Sequence, residues 1–408
     1  MTAEIAILNQ SGVAMAADSA VTIGLPTNDR KIYNTANKLF MLSKYHPVGI
    51  MIYNNAKIMG VEWEVIIKEY RKILGKQKFN TLKEYCTNFI EYLNTTRVFS
   101  EEQKRANFNQ QIETSIKIIQ KGIESKWNSV IGAKGSISDS QVKDITEKAI
   151  DEMLNDIGEE SIIDYDFNKF LSKINDTRDI LKRNGFNTFG EDINKKVLKL
   201  IYNNIASFKY YKAYTGIVIA GYGESEIFPS IINMLSKTII PEAYIYKIFN
   251  DDKIDYNTKA KILPFAQSDM AKSFIDGIDP SFDIFLRKAL KVIFDNFRNV
   301  FPLAKSQTDL LENKFYKALE DYKQKTYINP VLNIVASLPK IDLAEMAEAL
   351  VNLTAFKQHV SADAETVGGP TDVAVISKGD GFIWVKRKHY FDPKLNQHFF
   401  ENYYRENE

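Results

Sequence analysis

Short apolar segments separated by polar turns make up the first sixty residues of the chain. Ala3–Asn9 and Val13–Asp18 flank the turn Gln10–Gly12, and Lys38–Ser43 is followed after a polar stretch by Val48–Tyr53. Nearly every position in these segments is apolar, whereas a strand with one exposed face would alternate between apolar and polar residues. The pattern therefore predicts two pairs of strands that are buried on both faces, with helices or a second sheet packed against them.

From about residue 59 to about residue 210, apolar residues recur instead at the spacing of helices. The first helix is predicted to bury a face formed by Val61, Val65, Ile66, Ile73 and Leu74. Ser100 followed by Gln103 is the signature of a capping box at the start of a long helix. The apolar positions of that helix are Phe108, Ile112, Ile116, Ile119, Ile123 and Trp127. Between about residues 80 and 210 no segment has a convincing strand pattern, which indicates an all-helical region.

Strand patterns return in the rest of the chain. The predicted strands are Ala213–Ala220, Ala243–Phe249, Asp372–Ser377 and Phe382–Lys386, and the predicted helices are Phe282–Phe301 and Leu343–Lys357. The last two strands are joined by Lys378–Gly381, whose glycines are a strong hairpin signal. Because strands lie at both ends and helices between them, we predict a layered core formed by residues 1–79 and 211–408, with residues 80–210 as a helical insertion.

Composition excludes several functional classes. Hydrophobic residues make up 45% of the 408 residues and charged residues 26%, and the formal net charge is +1. This balance argues against a dedicated nucleic-acid binder, which normally has a basic excess on one face. No apolar run is long enough to span a bilayer, and the N-terminal residues lack the basic start of a secretory signal. We therefore expect a cytoplasmic protein that has neither nucleic acid nor membrane as a partner.

The histidines and glycines do not point to a cofactor. His46, His359, His389 and His398 show no metal-ligand spacing with acidic residues or with the single cysteine. No phosphate-binding loop follows any of the glycine-containing turns. We therefore predict no metal and no other cofactor.

The stretch Thr2–Ser19 carries the strongest chemical signal. A threonine opens the first strand, a turn with glycine follows, and the return strand ends in Ala-Ala-Asp-Ser; Lys38 then precedes the next apolar strand. This order resembles the start of mature proteasome β subunits and of the bacterial HslV peptidase, which are N-terminal-nucleophile hydrolases. The resemblance implies that Thr2 becomes the nucleophile once Met1 is removed, with Asp18 and Lys38 as its partners.

The chemistry of these residue types agrees with that resemblance. A threonine hydroxyl is a poor nucleophile unless a base takes its proton. A free α-amino group, with a pKa of about 7.7–8.0, is partly unprotonated at neutral pH and is held beside the hydroxyl of the same residue. A nearby Lys38 ammonium would lower the pKa of that amine, and Asp18 would keep Lys38 charged and in place.

Other segments extend the resemblance. Val367-Gly368-Gly369 is similar to the Ser-Gly-Gly loop of the family, with Val367 at the serine position, and the resemblance implies that Asp363 supplies the carboxylate of that loop. Gly221-Tyr222-Gly223 is similar to a Gly-Ser-Gly turn of the family, with Tyr222 at the position of a second helper serine.

The resemblance also implies substrate-binding positions. Thr22 matches the threonine with which the family pairs its substrate backbone, and Tyr53 and Asn54 stand at the family's paired oxyanion glycines. A backbone N–H at Tyr53 or Asn54 would still donate, because every residue except proline has one.

The fold that the resemblance implies is an α+β, four-layer αββα sandwich, here with a large all-helical insertion. The activity it implies is hydrolysis of amide bonds, most directly by a proteasome-like threonine peptidase acting on peptides or proteins. A small-molecule amidase is a narrower variant. The alternative from another class is a catalytically silent scaffold or sensor that binds partners through its helices. Homo-oligomerisation, including rings, and service by a separate ATP-driven unfoldase both stay open.

Overall fold

A computed structural model describes residues 2–24, 30–158, 165–174, 177–209, 214–300, 305–361 and 367–404 of the chain. Helices and antiparallel sheets are both present, so the protein is a mixed α/β structure. The strands are β1 (Ala3–Asn9), β2 (Gly12–Ala17), β3 (Val21–Gly24), β4 (Arg30–Tyr33), β5 (Leu39–Met41), β6 (Val48–Asn54), β7 (Lys57–Ile58), β8 (Val61–Glu62), β9 (Thr215–Gly221), β10 (Ser230–Ile240), β11 (Ala243–Lys253), β12 (Ala260–Ala266), β13 (Asp372–Ser377) and β14 (Gly381–Lys386).

The strands form two five-stranded sheets and two short hairpins. The first sheet has the order β12-β1-β2-β13-β14, and the second has the order β11-β10-β9-β6-β5. β3 pairs with β4, and β7 pairs with β8. In the first sheet, β2 lies between β1 and β13, so strands from the two ends of the chain are neighbours, as predicted.

The two large sheets share one hydrophobic cluster. Ala6 and Met15 of the first sheet belong to it together with Met51 and Val218 of the second. β1 and β2 are buried at every position, which confirms the expectation of strands covered on both faces. Alternate residues of β1 therefore point in opposite directions, and the even-numbered ones face the second sheet.

Thirteen α-helices are found in the described part of the chain. They are α1 (Trp63–Leu74), α2 (Leu82–Thr95), α3 (Glu101–Lys134), α4 (Asp139–Ile157), α5 (Phe167–Lys173), α6 (Thr177–Arg183), α7 (Glu191–Ala206), α8 (Asp269–Asp276), α9 (Pro280–Val300), α10 (Lys305–Lys323), α11 (Asn329–Val335), α12 (Lys340–His359) and α13 (Gln397–Tyr404). A π-helical turn, Gln324–Ile328, joins α10 to α11. No helix among the described residues combines the length and apolar character needed to cross a bilayer.

Helices cover the outer faces of both sheets. α1 and α2 contribute Trp63, Tyr70 and Phe89 to a cluster that includes Ile50 and Ile219 of the second sheet. α8, α11 and α12 pack on the first sheet, against the residues of β1 and β2 that point away from the second sheet. Each sheet therefore has apolar contacts on both of its faces.

The remaining helices of the middle segment have a hydrophobic cluster of their own. It joins α3, α4, α5, α6 and α7, and it touches the sheets through the β10–β11 turn, where Ile240 and Ile245 contribute. Ser100 and Gln103 form the predicted capping box at the start of α3. α2 belongs instead to the cluster of the second sheet, although sequence analysis grouped it with the insertion.

The segment α3–α7 is held to β10 at both of its ends. Near the start of α3, the Asn107 side-chain amide donates to Thr238 Oγ1 (2.6 Å) and to the carbonyl oxygen of Ile239 (2.8 Å). After the end of α7, the buried Lys237 ammonium donates to the carbonyl oxygen of Ser207 at 2.7 Å. The two ends are therefore fixed to consecutive residues of one strand.

Candidate functional site

Thr2, Asp18 and Lys38 meet at one edge of the two sheets. β1 and β2 are antiparallel neighbours, so the start of β1 lies beside the end of β2. The Ala3 N–H donates to Asp18 Oδ1 at 3.0 Å, and the Asp18 N–H donates to the Ala3 carbonyl oxygen at 3.1 Å. Lys38 comes from the second sheet, where its carbonyl oxygen accepts a hydrogen bond of 2.8 Å from the Ile52 N–H.

The predicted ion pair between Asp18 and Lys38 is present, with 2.5 Å between Nζ and Oδ1. Both side chains are buried. The second carboxylate oxygen of Asp18 accepts from the N–H groups of Ala20 (3.2 Å) and Gly368 (3.0 Å). Hydrogen bonds of this kind stabilise the ionised form of a carboxylate. Asp18 is therefore equipped to hold its charge inside the protein.

Glu4 is a member of this cluster that sequence analysis did not identify. Its side chain is fully buried, and its Oε1 lies 3.4 Å from Lys38 Nζ. Neither carboxyl oxygen has a hydrogen-bond partner that meets strict geometry within the described residues. Burial raises the pKa of Glu4 from 4.5 to about 8, although Lys38 opposes the shift. One acidic residue inside an otherwise apolar buried strand was the sequence signal that could have found it.

The Thr2 side chain is also buried, and it lies beside Glu4. The Thr2 hydroxyl lies close enough to Glu4 to lower the pKa of its carboxyl group, although no well-formed hydrogen bond joins them. The Thr2 carbonyl oxygen accepts from the Gln267 N–H at 3.0 Å, which fixes the backbone at the start of β1.

The C-terminal glycine loop contacts Asp18. Besides the Gly368 N–H bond to the carboxylate, the Gly368 carbonyl oxygen accepts from the Ser19 N–H at 3.1 Å. The Ser19 hydroxyl donates to the Pro370 carbonyl oxygen. Val367, at the family's serine position, is a buried residue of the outer cluster on the first sheet. Asp363 lies outside the described residues.

The Tyr53 side chain packs in the protein core. Its ring stacks on Phe265, with centroids 5.6 Å apart, and its hydroxyl donates to Asn233 Oδ1 at 3.1 Å. Any role of Tyr53 in binding therefore falls to its backbone. Asn54 follows with φ at 71°, in the left-handed region that few residues other than glycine adopt. Thr22 lies in β3, where it pairs with Ile32 of β4.

Tyr222 is far from the cluster, so its proposed match to a helper serine is wrong. β9 pairs with β6 so that Asn54 faces Thr215 and Val48 faces Gly221. Tyr222 therefore follows the opposite end of β9, roughly 20 Å away at about 3.3 Å per residue. Its side chain is buried between the sheets.

A cleft of about 660 Å³ opens beside Asn37 and Ile52. Val21, Asn37, Ile52 and Glu62 are among the residues that line it. Asn37 precedes Lys38, and Val21 begins the strand that carries Thr22. The cleft is therefore a candidate path for a substrate along β3 towards the cluster.

No group of three or more histidine, cysteine, aspartate or glutamate side chains in the described ranges is arranged to hold a metal ion. No protein-family model matches the chain, and no curated protein matches it either.

Proposed function

We propose that this protein is an N-terminal threonine hydrolase that cleaves amide bonds, most directly as a proteasome-like threonine peptidase. The observation that carries the proposal is the buried ion pair of Asp18 and Lys38, whose ammonium also contacts Glu4, the neighbour of the Thr2 hydroxyl. A buried ion pair is weak evidence for stability, because desolvation of the two charges offsets their attraction. A cation held in place next to a hydroxyl is, in contrast, what a nucleophilic site requires.

In the proposed mechanism, Thr2 carries a free α-amino group after residue 1 is removed. The amine takes the hydroxyl proton while Oγ1 attacks the carbonyl carbon of the amide, and the proton then passes to the leaving nitrogen as the C–N bond breaks. Water hydrolyses the resulting ester. Lys38 favours the neutral amine and stabilises negative charge on Oγ1, and Asp18 holds Lys38 in position.

The oxyanion of the tetrahedral intermediate needs hydrogen-bond donors of its own. Asn54 ends β6 on the side of the cluster, and its left-handed backbone departs from the regular strand there. Backbone departures of this kind are concentrated at functional sites. We assign the oxyanion donors to the backbone N–H groups of this turn.

The arrangement of secondary structure supports the same proposal. Two antiparallel sheets share a hydrophobic cluster, and helices pack on the outer face of each. We interpret these contacts as the αββα sandwich of the N-terminal-nucleophile hydrolases. A peptide substrate would extend β3 by strand addition near Thr22 and lie in the cleft beside Asn37.

The decisive experiment compares the wild-type protein with Thr2→Ala and Thr2→Ser on a panel of fluorogenic peptides and small amides. We expect Thr2→Ala to abolish hydrolysis and to leave the fold intact, and Thr2→Ser to retain part of the activity because serine keeps the hydroxyl. Intact-mass measurement of the active sample should show that Met1 is absent. Full turnover by Thr2→Ala, or by protein that retains Met1, would refute the proposal. Absence of hydrolysis by the folded, Met1-free wild type on the whole panel would favour the scaffold alternative.

A further inference from the structure

Two carboxyl groups contact the Lys38 ammonium from very different surroundings. Asp18 lies 2.5 Å from Nζ and receives three backbone N–H bonds, whereas Glu4 lies 3.4 Å from Nζ and receives none that meets strict geometry. Hydrogen-bond donors stabilise the ionised form of a buried carboxyl group. A buried carboxyl group without such donors keeps its proton to a higher pH. The ammonium is therefore placed as expected for one charged and one neutral carboxyl group.

We propose that Glu4 is a positioning residue of the Thr2 site that must carry a proton for Thr2 to react, so that its ionisation switches the site off in alkaline solution. This inference rests on the proposed hydrolase function. It concerns a residue that the mechanism above does not use.

The charge balance of the cluster explains the switch. With Glu4 neutral, the positive charge of Lys38 is balanced by Asp18 alone, and its field still acts on Thr2. When Glu4 ionises, a second negative charge stands 3.4 Å from the ammonium and next to the Thr2 hydroxyl. That charge opposes the formation of negative charge on Oγ1 and favours the protonated, inactive form of the α-amine.

The titratable groups that face Glu4 influence the pH at which it ionises. They are Lys38 and Asp18 in the cluster, Tyr53 from the second sheet and, once residue 1 is removed, the Thr2 α-amine, with the neutral Thr2 hydroxyl beside them. On β12, the residue that pairs with Glu4 is Phe265, which does not titrate. Burial raises the pKa of Glu4 to about 8 and that of Tyr53 to about 12, so Glu4 ionises well before Tyr53.

The test compares pH profiles of kcat/KM for the wild type, Glu4→Gln and Glu224→Gln. Glutamine has nearly the shape of a protonated glutamate and cannot ionise. Glu224 is an exposed glutamate at the far end of the sheets and serves as the matched control. We expect wild type and Glu224→Gln to lose activity about tenfold per pH unit above the transition, as a single ionisation requires, and Glu4→Gln to remain active there.

Two outcomes would overturn the inference. An unchanged alkaline limb in Glu4→Gln would show that Glu4 does not control the site. Loss of activity at every pH in a folded Glu4→Gln variant would show that the ionised carboxylate is needed, as for a base that takes the Thr2 proton.

A second measurement is independent of activity. The infrared C=O stretch of a protonated carboxyl group should be present in the wild type at pH 7, disappear as the pH is raised past the transition, and be missing in Glu4→Gln. If the wild type has no hydrolytic activity but shows this band, the proposed function fails and the assignment of the proton to Glu4 stands. If the band is missing at pH 7, the inference about Glu4 fails whatever the activity.

Discussion

The Lys38 ammonium shows how single residues set the charge of the site. It stands between Asp18, whose oxygens accept backbone hydrogen bonds, and Glu4, whose oxygens receive no such help. Burial acts on both carboxyl groups, and among the described residues backbone N–H donors reach only Asp18. The two acids are therefore not equivalent partners, although both lie within ion-pair distance of the same nitrogen.

Glu4 should also make stability depend on pH. Its pKa is raised from 4.5 to about 8 by folding, so the contribution of its protonated form to stability is complete below pH 4.5 and is lost as the pH rises through 8. Glu4→Gln removes this loss. We expect the unfolding free energy of Glu4→Gln, relative to wild type, to rise by roughly 4 kcal/mol between pH 5 and pH 9. Urea denaturation at pH 5 and at pH 9 measures this change. A difference between the two proteins that does not vary with pH would contradict the raised pKa of Glu4.

Lys38 should be indispensable for activity. We expect Lys38→Ala to reduce hydrolysis almost as completely as Thr2→Ala, because the residues act as a unit, and Lys38→Arg to fail because a larger, planar cation cannot occupy the same point. Lys237→Ala is the matched control, since Lys237 is also a buried lysine but binds backbone carbonyl oxygens of the α7 end. Circular dichroism first checks that Lys38→Ala and Lys237→Ala are folded. The turnover of Lys237→Ala per folded molecule should then match that of the wild type. Comparable losses in the two variants would assign the effect to folding.

At the scale of elements, strands with a largely apolar pattern were predictable, and a long strand interrupted by several buried polar residues was not. β1 and β13 have the predicted bounds. β10 was missed because Asn233, Ser236 and Lys237 interrupt its apolar pattern. The partners that make those residues compatible with burial, among them the Tyr53 hydroxyl and the end of α7, are distant in sequence.

The helix α1 shows a related limit. Val65 and Ile73 were predicted to be buried and are exposed, whereas Trp63, Ile67 and Tyr70 are buried. Periodicity alone allowed either face, and contact with the second sheet selected the aromatic one. In the site, the spacing of Thr2, Asp18 and Lys38 carried the prediction of the Asp18–Lys38 pair. Glu4 was missed because only the packing of the two sheets against each other brings it next to Lys38.

The packing of Tyr53 on β9 gives a prediction at this scale. Gly216 faces Tyr53 in the register of β6 and β9, and a Cβ atom at position 216 would overlap the tyrosine ring. Gly216→Ala should therefore destabilise the protein by about 1–3 kcal/mol, the usual effect of overpacking a core. Gly379→Ala is the control, because a Cβ there meets no atom within 4 Å. Equal urea midpoints for the two variants would show that the Tyr53 ring moves without cost.

For the molecule as a whole, the hydrophobic contacts fall into two parts. One part consists of the two sheets with the helices on their outer faces, and the other consists of α3–α7. Their connection runs through β10 and the turn that follows it. If the helical insertion is a separate unit, as predicted, these two parts should open independently of each other.

We expect α3–α7 to open as one unit, independently of the sheets. In native-state hydrogen exchange, Ile116→Ala should accelerate exchange throughout α3–α7 and leave β1, β2 and β9 unchanged, because Ile116 is buried in the helical cluster. Ile219→Ala, a matched truncation in the cluster of the second sheet, should accelerate exchange in the strands. If either variant accelerates exchange equally in both parts, the insertion does not behave as a separate unit.

The anchoring of α3 and α7 to consecutive residues of β10 bears on the order of folding. β6 and β9 are neighbours in the sheet, yet Thr215 and Asn55, which meet beside their ends, are 160 residues apart in sequence. Closing so long a loop in a disordered chain is entropically costly and slow. We therefore expect the helices, whose contacts are more local, to form first and to bring the two ends of their segment together. In that order of events β9 would meet β6 across a short effective connection.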